Sequence, residues 1–264
     1  MSAAFRILVT GFGPFPGAPF NPTMPLVERL TKLRRPALDD VALTGHIFHV
    51  TYQTVDRELP QLIAQVRPRA LLMFGLASRT SYLRIEARAR NAITTHFPDA
   101  DGNRSRKASI VEEADATPFG PHTASLLRAA RLTGIDARLS RDAGAYLCNY
   151  LSWRAIEATR KPGGPALASF IHVPLVARNS AARGVPSGIT LEQLVDAGEA
   201  MLMEMVKQVR QASLEAARPL LPRPALAGRG SGGGVASASA IRGESLTRIA
   251  SNDAMRPLPA GGAR

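Results

Sequence analysis

The sequence predicts a single three-layer α/β/α domain over residues 1–214, with a mostly parallel or mixed central sheet, and a disordered tail over 215–264. One observation carries the domain. Short runs of Val, Ile, Leu and Phe alternate with longer stretches of helical period from residue 4 to about residue 209. Such alternation places helices on both faces of one sheet. A second observation carries the tail: RPLLPRPALAGRGSGGGVASASA (218–240) is rich in Pro, Gly, Ser and Ala, with no sustained period. That composition cannot bury enough apolar surface to offset the entropy of ordering it.

The elements follow in order. AFRILVTGF (4–12) reads as a first strand. Pro22 to Leu33 reads as a helix whose apolar face is Met24, Leu26, Val27 and Leu30. VALTGHIFHV (41–50) is strand-like, and Val55 to Val66 is amphipathic through Val55, Leu59, Leu62, Ile63 and Val66. ALLMFG (70–75) is a short buried strand ending in Gly. His122 to Leu132 is helical, Gly134 stops it, and IDARLS (135–140) is strand-like. LASFIHV (167–173) is an apolar run after the KPGGP turn. Thr190 and Gln193 form a capping-box pattern opening a last helix, which Leu191, Leu194, Val195, Met201, Met205 and Val209 continue. Ser245 to Ala250 is a weak helical patch in the tail. Loops at the carboxyl ends of strands are the usual place for a site in such sheets. GFGPF (11–15), GLASR (75–79) and FIHVP (170–174) fall there.

Net charge is +12, from 33 Lys and Arg against 21 Asp and Glu. The basic residues are scattered, with clusters only at Lys32–Arg35 and Arg104–Lys107, and few aromatics stand among them to stack on bases. No nucleic-acid partner is expected. One cysteine excludes an internal disulfide framework and suits a reducing compartment. The N-terminus lacks a basic segment followed by a long apolar run, and no stretch of about 18 apolar residues occurs. These features lead to an expectation of a cytoplasmic protein with no membrane partner.

That lone cysteine, Cys148, lies in DAGAYLCN (142–149), between a Gly-containing loop and a helical pattern. Near a helix N-terminus, free N–H groups and the dipole favour thiolate and are placed to hold an oxyanion. Strand, tight turn, nucleophile and helix form an arrangement suited to covalent catalysis. A base is required, and His172, where an apolar run meets Pro174, is the candidate. A third group would fix the imidazole tautomer. Glu86, in YLRIEARARN, is one candidate, but spacing does not choose it over Asp142 or Glu58. His46 and His49 alone do not make a metal site, and no metal or cofactor is expected.

LVTGFGPFPGAPFNPT (8–23), GLASRTSYLRIEARARN (75–91), SRDAGAYLCNYLSWR (140–154) and SFIHVP (169–174) together resemble the signature segments of pyroglutamyl peptidase I, in the family's order and approximate spacing. The resemblance covers roughly residues 5–210. It implies a cysteine omega-peptidase that removes an N-terminal pyroglutamyl residue from peptides. It implies Cys148 as nucleophile, His172 as base and Glu86 as orienting acid. It further implies Phe12, Phe15, Asn21, Tyr146 and Leu147 around the substrate, and assembly as a homo-oligomer, a dimer or tetramer. The neutral lactam of pyroglutamate calls for flat apolar walls and few polar partners, as Phe12 and Phe15 on a Gly/Pro-stiffened loop would supply. Leu76 stands where many members carry Gln, and Arg88 and Arg90 replace apolar residues. A related amide hydrolase with another small acyl group, or a non-catalytic binding protein, are the other readings open at this point.

Overall fold

The computed structural model describes residues 5–112, 115–177 and 188–217. Its elements run β1 (Phe5–Phe12), α1 (Thr23–Thr31), β2 (Val41–Phe48), α2 (Tyr52–Val66), β3 (Ala70–Leu76), β4 (Leu83–Glu86), β5 (Arg88–Arg90), β6 (Ala116–Pro118), α3 (His122–Leu132), β7 (Ala137–Ser140), α4 (Leu147–Thr159), β8 (Leu167–Val173) and α5 (Leu191–Ala217). A six-stranded sheet has the order β2-β1-β3-β8-β4-β7. Its pairings are parallel except β4 against β8. The sheet is therefore mixed, and α/β as the alternation predicts.

Side-chain parity divides the core in two. On β1, Ile7 and Val9 join one cluster and Leu8 and Phe12 the other; on β3, Leu72 and Phe74 oppose Leu71 and Met73. The first cluster takes in α1, α3 and α5, and the second α2 and α4. This is the three-layer arrangement, with period-2 strands between period-3.6 helices. The capping box at α5 is formed: Thr190 N donates to Gln193 Oε1 at 3.0 Å, and Gln193 N donates to Thr190 Oγ1 at 3.2 Å.

Helix α2 starts at Tyr52, three residues before its apolar stripe, because the Thr51 side chain accepts a hydrogen bond from Thr54 N and caps it. β4 and β5 are strands where the sequence reading placed only a motif. β4 is inserted between β8 and β7, and β5 leaves the main sheet to pair with β6. Helix α5 extends to Ala217, past the domain limit expected at 214. The tail from 218, with the Ser245–Ala250 patch, lies outside the described residues. Among the described residues no helix is long and apolar enough to cross a membrane.

Candidate active site

The site is built on one transverse row of the sheet. Gly75 of β3 is in register with His172 of β8, and His172 with Arg84 of β4. On β8, Phe170 joins the α2/α4 core while Ile171 and Val173 join the other, so parity turns His172 toward α4. On β4, Leu83 and Ile85 face the α1/α3/α5 core, which places Arg84 and Glu86 on the same face as His172.

The chain reaches α4 through a short loop. Asp142 Oδ1 accepts from Gly144 N at 2.9 Å, and Gly144 has φ of 83°, a left-handed value that favours glycine. The first helical bond of α4 is Tyr150 N to Tyr146 O, 3.0 Å. The N–H groups of Leu147, Cys148 and Asn149 therefore precede the helical ladder. Asn149 is fully buried and accepts from Arg90 N at 2.8 Å while donating to Arg90 O and Ala92 O at 2.8 and 2.9 Å. It fastens the start of α4 to β5. A Cβ added to Gly75 would lie 2.7 Å from Cys148 Sγ and 2.6 Å from Phe170 Cζ. The sulfur rests against strand backbone, and only glycine permits it.

His172 Nδ1 meets Glu86 Oε1 at 2.7 Å, with both side chains essentially without solvent exposure. The other ring nitrogen, Nε2, is left for Cys148, which is a hydrogen-bond and charge partner of the imidazole. Burial alone would push the His172 pKa down; its hydrogen bonds and charge interactions with Cys148 and Glu86 outweigh burial and raise the value to about 9. Phe170 packs against the ring, centroids 5.0 Å apart. Glu86 Oε2 is buried with no hydrogen-bond partner among the described residues. Of the other two acids considered from the sequence, Glu58 pairs with His46 at 2.9 Å and Asp142 with Arg90 at 3.0 Å. Neither meets His172, and the structure separates three acids that spacing could not.

The remaining residues singled out from the sequence surround α4 and β1. Phe12 is buried and Phe15 half-buried, both in the α2/α4 core with Cys148. Asn21 is also buried, and both ends of its amide are occupied: Nδ2 donates to Gly13 O at 3.0 Å, and Oδ1 accepts from Thr23 N at 3.1 Å. It shapes the Phe12–Phe15 loop. Tyr146 is half-buried and its hydroxyl donates to Pro98 O at 2.8 Å. Burial, with the Asp99 and Cys148 charges, pushes its pKa up to about 12. The Leu147 side chain is in the core, so its backbone is the part adjacent to the nucleophile. Arg84, Asn149 and Gly75 are site residues the sequence reading did not single out. Gly75 was visible only as a strand end, and Asn149 only as the residue after the cysteine.

A thiol, an imidazole and a buried carboxylate in series on an α/β/α sheet define the class of cysteine hydrolases with a relayed base. Residues 5–208 match the family model of pyroglutamyl peptidase, and the chain belongs to that family. It is 30% identical to a pyrrolidone-carboxylate peptidase of Pyrococcus furiosus over 172 residues, covering 65% of this chain and 81% of that one. It is 31% identical to one of Pseudomonas fluorescens over 193 residues, 72% and 87% of the two chains. Among solved structures, pyrrolidone carboxyl peptidase from Thermococcus litoralis superposes with a TM-score of 0.67 at 28% identity, covering 83% of this chain and 99% of the other.

Proposed function

We propose that this chain hydrolyses the amide bond after an N-terminal pyroglutamyl residue through a thioester on Cys148. The observation that carries the reading is the 2.7 Å contact of His172 with Glu86, on the same sheet face as a Cys148 that charges the imidazole. The Cys148 thiolate attacks the carbonyl carbon joining the lactam ring to the next residue. The N–H groups of Cys148 and a neighbour at the start of α4 face the oxyanion that forms. His172, protonated and held by Glu86, gives its Nε2 proton to the leaving amine. It then takes a proton from water, and the resulting hydroxide opens the thioester, releasing pyroglutamate and restoring the thiolate–imidazolium pair. Phe12 and Phe15 form the apolar wall for the ring, with Tyr146 beside the nucleophile. Asn21 acts on recognition by holding their loop. A reducing cytoplasm suits the single thiol, and peptides bearing N-terminal pyroglutamate are the substrates.

Release of a fluorescent amine from a pyroglutamyl amide, measured under reducing conditions, tests this. The wild-type chain is expected to turn over, and Cys148→Ala to lose at least about 10⁴-fold in kcat, as removal of a nucleophile does elsewhere. A wild-type chain that ignores this substrate and cleaves another acyl amide would overturn the lactam specificity.

A further inference from the structure

We propose that Arg84 is a positioning residue for the reaction: its guanidinium holds the orienting acid Glu86 and fastens it to the loop that delivers Cys148. The inference rests on the reading of Cys148, His172 and Glu86 given above. Arg84 is the direct cross-strand neighbour of His172 and stands two residues before Glu86 on the same face. Its Nη2 lies 3.0 Å from Glu86 Oε1, the oxygen that also meets His172 Nδ1. The same nitrogen donates to Ser140 Oγ at 2.9 Å and to the Asp142 carbonyl. The N–H groups are thus directed at the β7–α4 loop, while the charge sits against the acid.

Two consequences distinguish this from an ordinary ion pair. First, Glu86 is fully buried and its second oxygen has no partner among the described residues. A buried carboxylate is costly unless its charge is balanced, and among the described residues Arg84 and His172 are the two cations on it. Second, those two cations compete for one oxygen. The charged groups facing His172 are Cys148 from α4 and Glu86 and Arg84 from β4; β3 presents Gly75 at that level. Arg84 therefore moderates how strongly Glu86 holds the imidazolium. Two further arginines support the same loop: Arg88 Nε donates to Arg141 O at 2.9 Å, and Arg90 pairs with Asp142. The arginines that set this stretch apart from the family pattern all converge on residues 140–142.

The two parts of the role separate by substitution. Arg84→Met removes both the charge and the Nη2 donor. Arg84→Lys keeps the charge on a side chain one bond shorter, which stops short of Ser140 and Asp142. Because Cys148 is the only cysteine, its rate of alkylation by iodoacetamide against pH reports the thiolate–imidazolium pair without any substrate. The wild-type profile is expected to show an upper inflection near pH 9 as His172 loses its proton. In Arg84→Met that inflection should move up by roughly one pH unit, the usual size of a neighbouring charge effect. Its kcat on a pyroglutamyl amide should fall about tenfold or more at nearly constant KM, as loss of orientation does. Arg84→Lys should keep the wild-type inflection while losing most of that kcat. A wild-type profile with no upper inflection overturns the assignment of the reacting pair itself. An inflection that Arg84→Met leaves in place overturns the proposal for Arg84 alone. If Arg84→Met does not fold, an Arg84→Lys variant with full kcat overturns it.

Discussion

The base side of the site and the recognition loop solve the same problem at opposite ranges. At the base, polar groups find partners across long stretches of chain. Glu86 and His172 are 86 residues apart, and Asn149 reaches 59 residues back to Arg90. In the recognition loop the polar groups satisfy one another within a dozen residues: Asn21 with Gly13 and Thr23, and Thr23 with Phe12. Long-range bonding places a few charged atoms where no solvent competes. Short-range bonding makes a self-supporting loop that carries Phe12 and Phe15 against the α2/α4 core. Under the proposed function, the first region serves the chemical step and the second serves affinity.

Substitutions sharpen that division. The largest effect expected on the base side, short of removing the nucleophile, is from Glu86→Gln. It leaves His172 without its counter-charge and should lower kcat about 10⁴-fold, the scale seen when a triad acid is neutralised. Because Glu86 helps raise the His172 pKa, the alkaline limb of kcat/KM should also move below its wild-type position near pH 9. That shift is opposite in sign to the one expected for Arg84→Met. A limb that stays near 9 would mean Cys148 alone holds the imidazolium. The same raised value bears on stability. It lies above the unfolded value of about 6.5, so the protonated imidazole's contribution is complete below that pH and is lost as pH rises through about 9. Thermal melts between those limits should show it.

Gly75→Ala comes next. Its Cβ would sit 2.7 Å from Cys148 Sγ, and the sulfur or α4 must move. A displacement of this kind should cost about a hundredfold in kcat with little change in KM. Unchanged turnover would mean that the start of α4 yields freely, contrary to the anchoring by Asn149. In the recognition loop, Phe15→Ala should raise KM roughly tenfold, the scale of a lost aromatic burial, and leave the pH profile alone. A fall in kcat instead would break the division. Asn21→Ala should show chiefly in stability, by about 1–3 kcal/mol for buried groups left unpaired, read from denaturant melts.

The same contrast of ranges explains what was legible in the sequence. Helices and parallel strands with strong local signals were readable: the Thr190–Gln193 capping box, the apolar stripe of α2, the β-branched run of β1. So was the cysteine at a helix start. β4 was not read as a strand, although Leu83-Arg84-Ile85-Glu86 alternates apolar and polar residues as a half-buried strand should. Nothing local shows that β4 is inserted beside β8. Spacing left Glu86 level with Glu58 and Asp142, and only the resemblance singled it out; strand register is what brings position 86 to His172. The buried role of Asn21 was hidden for the opposite reason: its partners are near in sequence, but a loop's hydrogen bonds leave no periodic trace.

The lone thiol has a redox consequence. A peroxide that reached Cys148 would convert it to a sulfenic acid, and the usual rescue is a second cysteine that condenses with it. These 264 residues hold no second cysteine. Strand backbone at Gly75 also closes the sheet side of the sulfur, so an incoming reductant must come from the opposite side. Recovery from oxidation would therefore depend on external thiols small enough to use that route, and a bound substrate or product would shield the sulfur from both damage and repair.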